Sequence, residues 1–189
     1  MRLLIVIPTF YPKLDKGGPI ISLYNQLNDL SEKVYLEVIT RQKLDKYEKF
    51  LIKSNIKINY EILNNNLINF IKNYLNVRKF DVLYINSIFS LHTISYILIG
   101  ILFKKKIIIS PRGSVSESAL KKKLILKRTI INLICLIIDK KKSIFLATSI
   151  LEKNELTKIF RNYKIEVLPN GLNHLDLHYN KKKNNFDES

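Results

Sequence analysis

Four short stretches of this sequence carry side chains able to bind or transform a ligand. The most informative is Ser110-Pro111-Arg112-Gly113-Ser114-Val115-Ser116. Arg112 follows a proline that stops a strand, and Gly113 frees the backbone to turn. A guanidinium held there can form a bidentate bond to phosphate or carboxylate, or bond several sugar hydroxyls. The plainer alternative is an arginine on a wet surface. Ser114 or Ser116 suits the cap of the following helix, with Glu117 favourable in its first turn.

The second stretch is Asn86-Ser87-Ile88-Phe89-Ser90, followed by His92. Asn86, Ser87 and Ser90 can hydrogen-bond sugar hydroxyls, and Phe89 can pack on a sugar ring. A helix cap uses the same residue types, and His92 near a helix start reads first as structural. The third is Gly17-Gly18, ahead of Pro19. Free N–H groups at such a helix start can hold a phosphate or an acidic sugar group. An ordinary helix start looks the same, and no G-x-G-x-x-G fingerprint is present. The fourth is Thr148-Ser149 with Glu152, the spacing of a helix cap. Pro169-Asn170-Gly171 is a tight-turn sequence that can bring Asn170 and Gly171 to the same rim.

Other chemistries are disfavoured. His92, His174 and His178 have no metal-ligand spacing, so no metal site is expected. Cys135 is the one cysteine, which excludes an internal disulfide and any Cys-rich zinc or iron–sulfur site. Neither a P-loop nor a Ser-His-Asp spacing is visible, which argues against ATPase and hydrolase functions.

The elements that must position these loops follow from the apolar pattern. Leu3–Ile7 is an uninterrupted apolar run ending in Pro-Thr-Phe-Tyr-Pro, a buried strand. A helix follows Gly18, with Ile20, Leu23, Tyr24, Leu27 and Leu30 at helical spacing. Strands are expected at Val34–Thr40, Ile56–Leu63, Asp81–Ile85, Lys106–Ile109, Ile144–Thr148 and Ile165–Leu168. The alternation of Ile56, Ile58, Tyr60 and Ile62 places the third strand near a sheet edge. Helices are expected at Leu67–Val77, Leu91–Phe103, Glu117–Lys127, Thr129–Ile138 and Leu151–Phe160. Strands alternating with helices predict an α/β fold: a single Rossmann-like domain whose mostly parallel sheet is covered by helices on both faces. Residues 1–177 form that domain, and residues 178–189 are a polar tail. All four stretches follow strands, so the fold can gather them beyond the carboxyl ends of the sheet.

The chain has 189 residues, 47% of them hydrophobic, a globular composition. Its formal net charge is +16, and residues 104–142 alone carry 12 basic and 2 acidic side chains. Such a patch attracts phosphates, anionic lipid headgroups or nucleic acid, unless it is simply a solvated lysine face. Without a zinc finger or an RNP pattern, a nucleic-acid partner is not expected. Lys121–Lys123, Lys127 and Arg128 interleave with Leu124, Ile125 and Leu126, an arrangement that can lie on an anionic bilayer. Val82–Phe103 has no charged residue and is long enough to span a membrane. Asn86, Ser87, Ser90, His92, Thr93 and Ser95 interrupt its first half at a cost in lipid. The N-terminal apolar run is too short for a signal peptide. The expectation is a cytoplasmic protein able to rest on the inner face of the plasma membrane.

Read together, the motifs resemble the N-terminal domain of a GT-B glycosyltransferase of the large retaining family 4. The stretches that carry the resemblance are VIPTFYP with Gly17-Gly18, DVLYINSIFS, IIISPRGSVSESALKKKLILKR, FLATSILEKNE and VLPNGLN, in the family's order and across nearly the whole chain. The resemblance implies transfer of a sugar from a nucleotide-diphosphate donor to a saccharide or lipid-linked saccharide acceptor, with retained configuration and no cofactor. Gly17 and Gly18 would lie near the donor phosphates. Many relatives carry histidine at the position of Arg112, near the transferred sugar, so Arg112 matches the place but not the chemistry. GT-B enzymes have a second Rossmann-like domain that holds most of the donor, and this sequence ends where the link to it normally begins. The resemblance therefore implies a chain inactive alone: a truncated product, an isolated domain, or one half of a split enzyme whose partner is a separate C-terminal GT-B domain. The alternative is a non-enzymatic domain that binds carbohydrate or a membrane surface.

Overall fold

The computed structural model describes residues 1–10, 18–41, 57–60, 74–121 and 124–170. Arg2–Ile7 (β1), Tyr35–Thr40 (β2), Lys57–Tyr60 (β3), Val82–Asn86 (β4), Lys106–Ser110 (β5), Ser143–Ala147 (β6) and Lys164–Val167 (β7) form one sheet. Its order is β3-β2-β1-β4-β5-β6-β7, and all six pairings are parallel. The expected Rossmann-like α/β domain is what the chain adopts. β3 is an edge strand, as its alternation required.

Among the described residues, Gly18–Ser31 (α1), Leu91–Leu102 (α2), Glu117–Lys121 (α3), Leu124–Ile137 (α4) and Ile150–Ile159 (α5) are α-helices of five residues or more. β1 sits between β2 and β4 and is buried on both sides, which is why Leu3–Ile7 is apolar without interruption. Its alternate side chains enter different cores. Leu3, Ile5 and Ile7 meet Leu23 and Leu27 of α1 on one face. Leu4 and Val6 belong to the core that Tyr96 and Ile97 of α2, Ile131 and Ile134 of α4, and Leu156 of α5 close on the other face. Phe145 of β6 stacks on Phe160 after α5, with ring centroids 4.0 Å apart.

Three sequence expectations shift. Asn86 and Ser110 are strand residues rather than loop residues, paired with each other in the β4–β5 ladder. Residues 117–138 divide into Glu117–Lys121 and Leu124–Ile137, so Arg128 lies inside α4 instead of separating two helices. The amphipathic pattern is continuous through that position, and an exposed arginine does not break it. Val34 lies in the turn before β2. Most of the helix expected at Leu67–Val77, the ends of the Ile56–Leu63 strand and the 178–189 tail fall outside the described residues.

Candidate functional site

Strand addition reverses at β1, whose neighbours are β2 and β4. In parallel sheets of this kind ligands gather at such a reversal, outside the carboxyl ends of the strands. The described residues that follow β1, β4, β5, β6 and β7 leave the sheet at that rim.

Arg112 is the hub of the rim. Its Nε donates to Oδ1 of Asn86 at 2.8 Å, and its Nη1 donates to Oδ1 of Asn170 at 3.1 Å. One guanidinium thus joins the end of β4 to the segment that follows β7. Asn86 is 1% exposed, and its Nδ2 has no hydrogen-bond partner among the described residues. A buried amide donor left unmatched is costly, which sets this position at the rim apart.

The backbone here is strained. Arg112 has φ 49° and Ser87 has φ 70°, both in the left-handed region that side chains disfavour. Gly113 follows with φ 73°, which glycine adopts without penalty. The Ser87 N–H donates to the Ser110 carbonyl at 3.0 Å, so the two strained loops are tied together. Left-handed residues cost about 1–3 kcal/mol each and cluster at functional sites.

Glu152 braces the Arg112 loop. It is 4% exposed, at the start of α5. One carboxylate oxygen accepts from the Gly113 N–H at 2.6 Å. The other accepts from the N–H and hydroxyl of Thr148, each at 2.7 Å. Both oxygens are committed to the protein, so the side chain holds the loop in place. Ser149 caps α5, its hydroxyl accepting from the Glu152 N–H at 3.1 Å. Ser90 caps α2 in the same way, accepting from the Thr93 N–H at 3.3 Å. Ser116 caps α3 through the Ala119 N–H.

Phe89 is half-buried against the core, and Lys127 Nζ lies 4.9 Å from its ring centroid. At least one face of the ring is therefore occupied by a cation. His92 is buried and meets the Tyr96 ring edge-on at 5.2 Å. Gly18 opens α1 on the carboxyl side of β1, while Gly17 and Gly171 lie outside the described residues. Among the described residues, no group of His, Cys, Asp and Glu is arranged to hold a metal ion.

Sequence reasoning missed Gln26. Its Nε2, on α1, donates to the Pro169 carbonyl at 2.9 Å. With the Arg112–Asn170 bond, this shows the chain leaving β7 and turning back across the carboxyl ends of the sheet. Nothing in the sequence marks Gln26, a polar side chain on a surface helix.

Taken together, Asn86, Ser87, Arg112, Gly113, Glu152 and Asn170 form one connected cluster, with a fixed cation at its centre. It can bind an anion or a polyhydroxylated ligand. No protein-family model matches the chain, and neither does any curated protein sequence. Solved structures do. The crystal structure of Anabaena Alr3699/HepE in complex with UDP-glucose is similar with a TM-score of 0.60 and 12% identity, over 92% of this chain and 44% of that one. Its complex with UDP gives a TM-score of 0.60 at 11% identity, over 92% and 45%. A putative UDP-N-acetylglucosamine 2-epimerase from Listeria monocytogenes gives 0.52 at 15%, over 83% and 41%. The chain spans less than half the length of each. At these identities the likeness is one of fold, and the fold it shows is GT-B-like.

Proposed function

We propose that this chain forms the acceptor side of a retaining, family-4-like GT-B glycosyltransferase site. In this reading a second Rossmann-like domain supplies most of the contacts to a nucleotide-diphosphate sugar. The acceptor is a saccharide or a lipid-linked saccharide. The observation that carries the proposal is Arg112, a permanent cation pinned by Asn86 and Asn170 at the rim where the sheet order reverses. The fold likeness to proteins crystallised with UDP and UDP-glucose supports the same class of ligand.

Sugar transfer releases an anionic diphosphate, and the barrier falls when fixed positive groups face the developing charge. Arg112 suits that task, or the related one of holding an acidic acceptor. Asn86 and Asn170 orient its guanidinium, and Glu152 fixes the loop that presents it. The unmatched Asn86 Nδ2 adds a donor for a ligand oxygen.

Arg112→Ala is the first test, with glucose 1-phosphate as an anionic, polyhydroxylated probe in titration calorimetry. The expected loss of binding is about 2 kcal/mol, larger than the loss of folding stability. Equal affinity of the two proteins rejects the site. The second test is a labelled-donor assay with a panel of nucleotide sugars and membrane-extracted acceptors. It is run with this polypeptide alone and with a GT-B C-terminal domain added. Transfer that needs the added domain supports the reading. Product analysis separates transfer from hydrolysis and epimerisation.

A further inference from the structure

Helix α4 has apolar residues on every side, yet only Ile131 and Ile134 of it are buried. Ile125 is 83% exposed and Leu136 is 82% exposed. By the helical repeat these two share the outermost ridge with Thr129 and Asn132, and Leu126 and Leu133 flank it. A helix that is apolar all round ordinarily lies within a larger core or against lipid. The neighbouring helix α2 adds exposed Leu98 and Leu102. Both helices cover the same face of the sheet.

The amino end of that face is basic. Lys104, after α2, and Lys106, the first residue of β5, are exposed, as are Lys140, Lys141 and Lys142, between α4 and β6. Asp139 stands beside them, with its Oδ1 accepting from the Lys141 N–H at 2.9 Å. Lys121 and Arg128 are exposed toward the start of α4, with Glu117 at the start of α3. Lys127 is not part of this belt, since its ammonium is held by the Ala119 carbonyl and the Phe89 ring.

We infer that this face, the outward apolar residues of α2 and α4 with the lysines bordering them, docks on an anionic lipid bilayer. Apolar side chains enter the boundary between headgroups and acyl chains, while lysine stems reach along it and leave their ammonium groups among lipid phosphates. Charge complementarity selects this occupant over a second copy of the chain. Two such faces set together bring lysines against lysines or arginines in either orientation, and like charges repel most where water is excluded. The mode is interfacial, because no helix among the described residues is long and apolar enough to cross a membrane. The inference stands independently of the catalytic reading, since neither Arg112 nor its partners enter it.

The test is co-sedimentation of the full chain with vesicles of phosphatidylcholine alone, or of phosphatidylcholine mixed with phosphatidylglycerol. Binding is expected on the anionic vesicles only, and it falls as salt is raised through the range that screens surface charge. The double variant Ile125→Glu/Leu136→Glu, at two exposed positions, lowers partitioning roughly tenfold or more. Its circular dichroism and melting temperature stay as in the unaltered chain. A Lys140→Gln/Lys141→Gln/Lys142→Gln variant lowers binding to anionic vesicles by roughly tenfold as well. Absence of binding by the unaltered chain overturns the inference, and so does equal binding by the double variant. A dimer in sedimentation velocity that the double variant dissociates, with no vesicle binding, assigns the face to a second copy instead.

Discussion

Arg112 and Ser87 hold left-handed backbones that only the surrounding bonds can maintain. The bracing is asymmetric: Asn86 and Asn170 hold the Arg112 side chain, and Glu152 holds the backbone of Gly113 beside it. A glutamine at 152 keeps the shape but turns one acceptor oxygen into an NH2 group. In either orientation that NH2 faces a backbone N–H, of Gly113 or of Thr148. Glu152→Gln is therefore expected to cost about 2–3 kcal/mol in urea unfolding, as a buried donor loses its acceptor. An unchanged midpoint would show that the brace carries no energy. The Ser-Pro-Arg-Gly stretch and the Ser149–Glu152 spacing were legible in the sequence. The bond from the Gly113 N–H to Glu152 was not, because it joins a loop to the start of α5 39 residues away and no local pattern records it.

At the scale of elements, apolar runs and caps located most of the fold. Leu3–Ile7 of β1 and Val82–Ile85 of β4 are buried throughout and read as continuous apolar runs. Boundaries were less legible where polar residues belong to strands: Asn86 and Ser110 pair at the rim because the ladder extends to the residue before each turn. The end of α2 shows what a sequence can hide. The Lys105 N–H reaches back to the Gly100 carbonyl at 2.8 Å and the Lys104 N–H to Ile101 at 2.9 Å, a Schellman ending. The left-handed position in it is Lys104, at φ 52°, where glycine is usual. Lys104→Gly is expected to raise stability by about 1 kcal/mol, read as a higher denaturation midpoint. A lower midpoint would mean that the side chain contributes more than its backbone strain costs.

The packing of α4 against the segment around β7 has a pH signature. The Tyr163 hydroxyl donates to the Cys135 carbonyl at 2.9 Å and lies 3.3 Å from that of Ile138. Burial pushes the Tyr163 hydroxyl above its ordinary 10.0, and the negative charge of the nearby Cys135 thiolate adds to the rise. Burial likewise pushes the Cys135 thiol above 9.0, with Lys140 opposing. Both groups hold their protons more tightly folded than unfolded, so above these ordinary values the unfolded chain binds fewer protons. The stability they contribute is complete below about pH 9 and declines as pH rises through the folded-state values. Denaturation midpoints across the alkaline range check this, and Tyr163→Phe should flatten the decline. A midpoint that rises with pH would reverse the sign and refute the assignment.

On the scale of the whole molecule, the parallel sheet and its rim were legible because strand and helix patterns alternate along the chain. The place of Asn170 at the rim was legible too, but the bonds that hold the path after β7 were not. Gln26 and Pro169 are 143 residues apart, and Arg112 and Asn170 are 58 apart, so only the folded sheet brings them together. That path ties the rim cluster to the segment after β7 and to α1. Its consequence for ligands follows from the half-site reading. A donor gripped from one side gives up much of the benefit of holding reactants in a closed site, a benefit worth roughly 7–11 kcal/mol in favourable cases. Any ligand that binds only the folded chain raises its melting temperature, by an amount set by the ratio of concentration to Kd. UDP-glucose at about millimolar concentration is therefore expected to leave the melting temperature of this polypeptide nearly unchanged. Adding a GT-B C-terminal domain should make the same concentration stabilising, because the second half of the diphosphate site is then present. A clear thermal shift with UDP-glucose and this polypeptide alone, lost in Arg112→Ala, would instead place a complete donor site on the rim around Arg112.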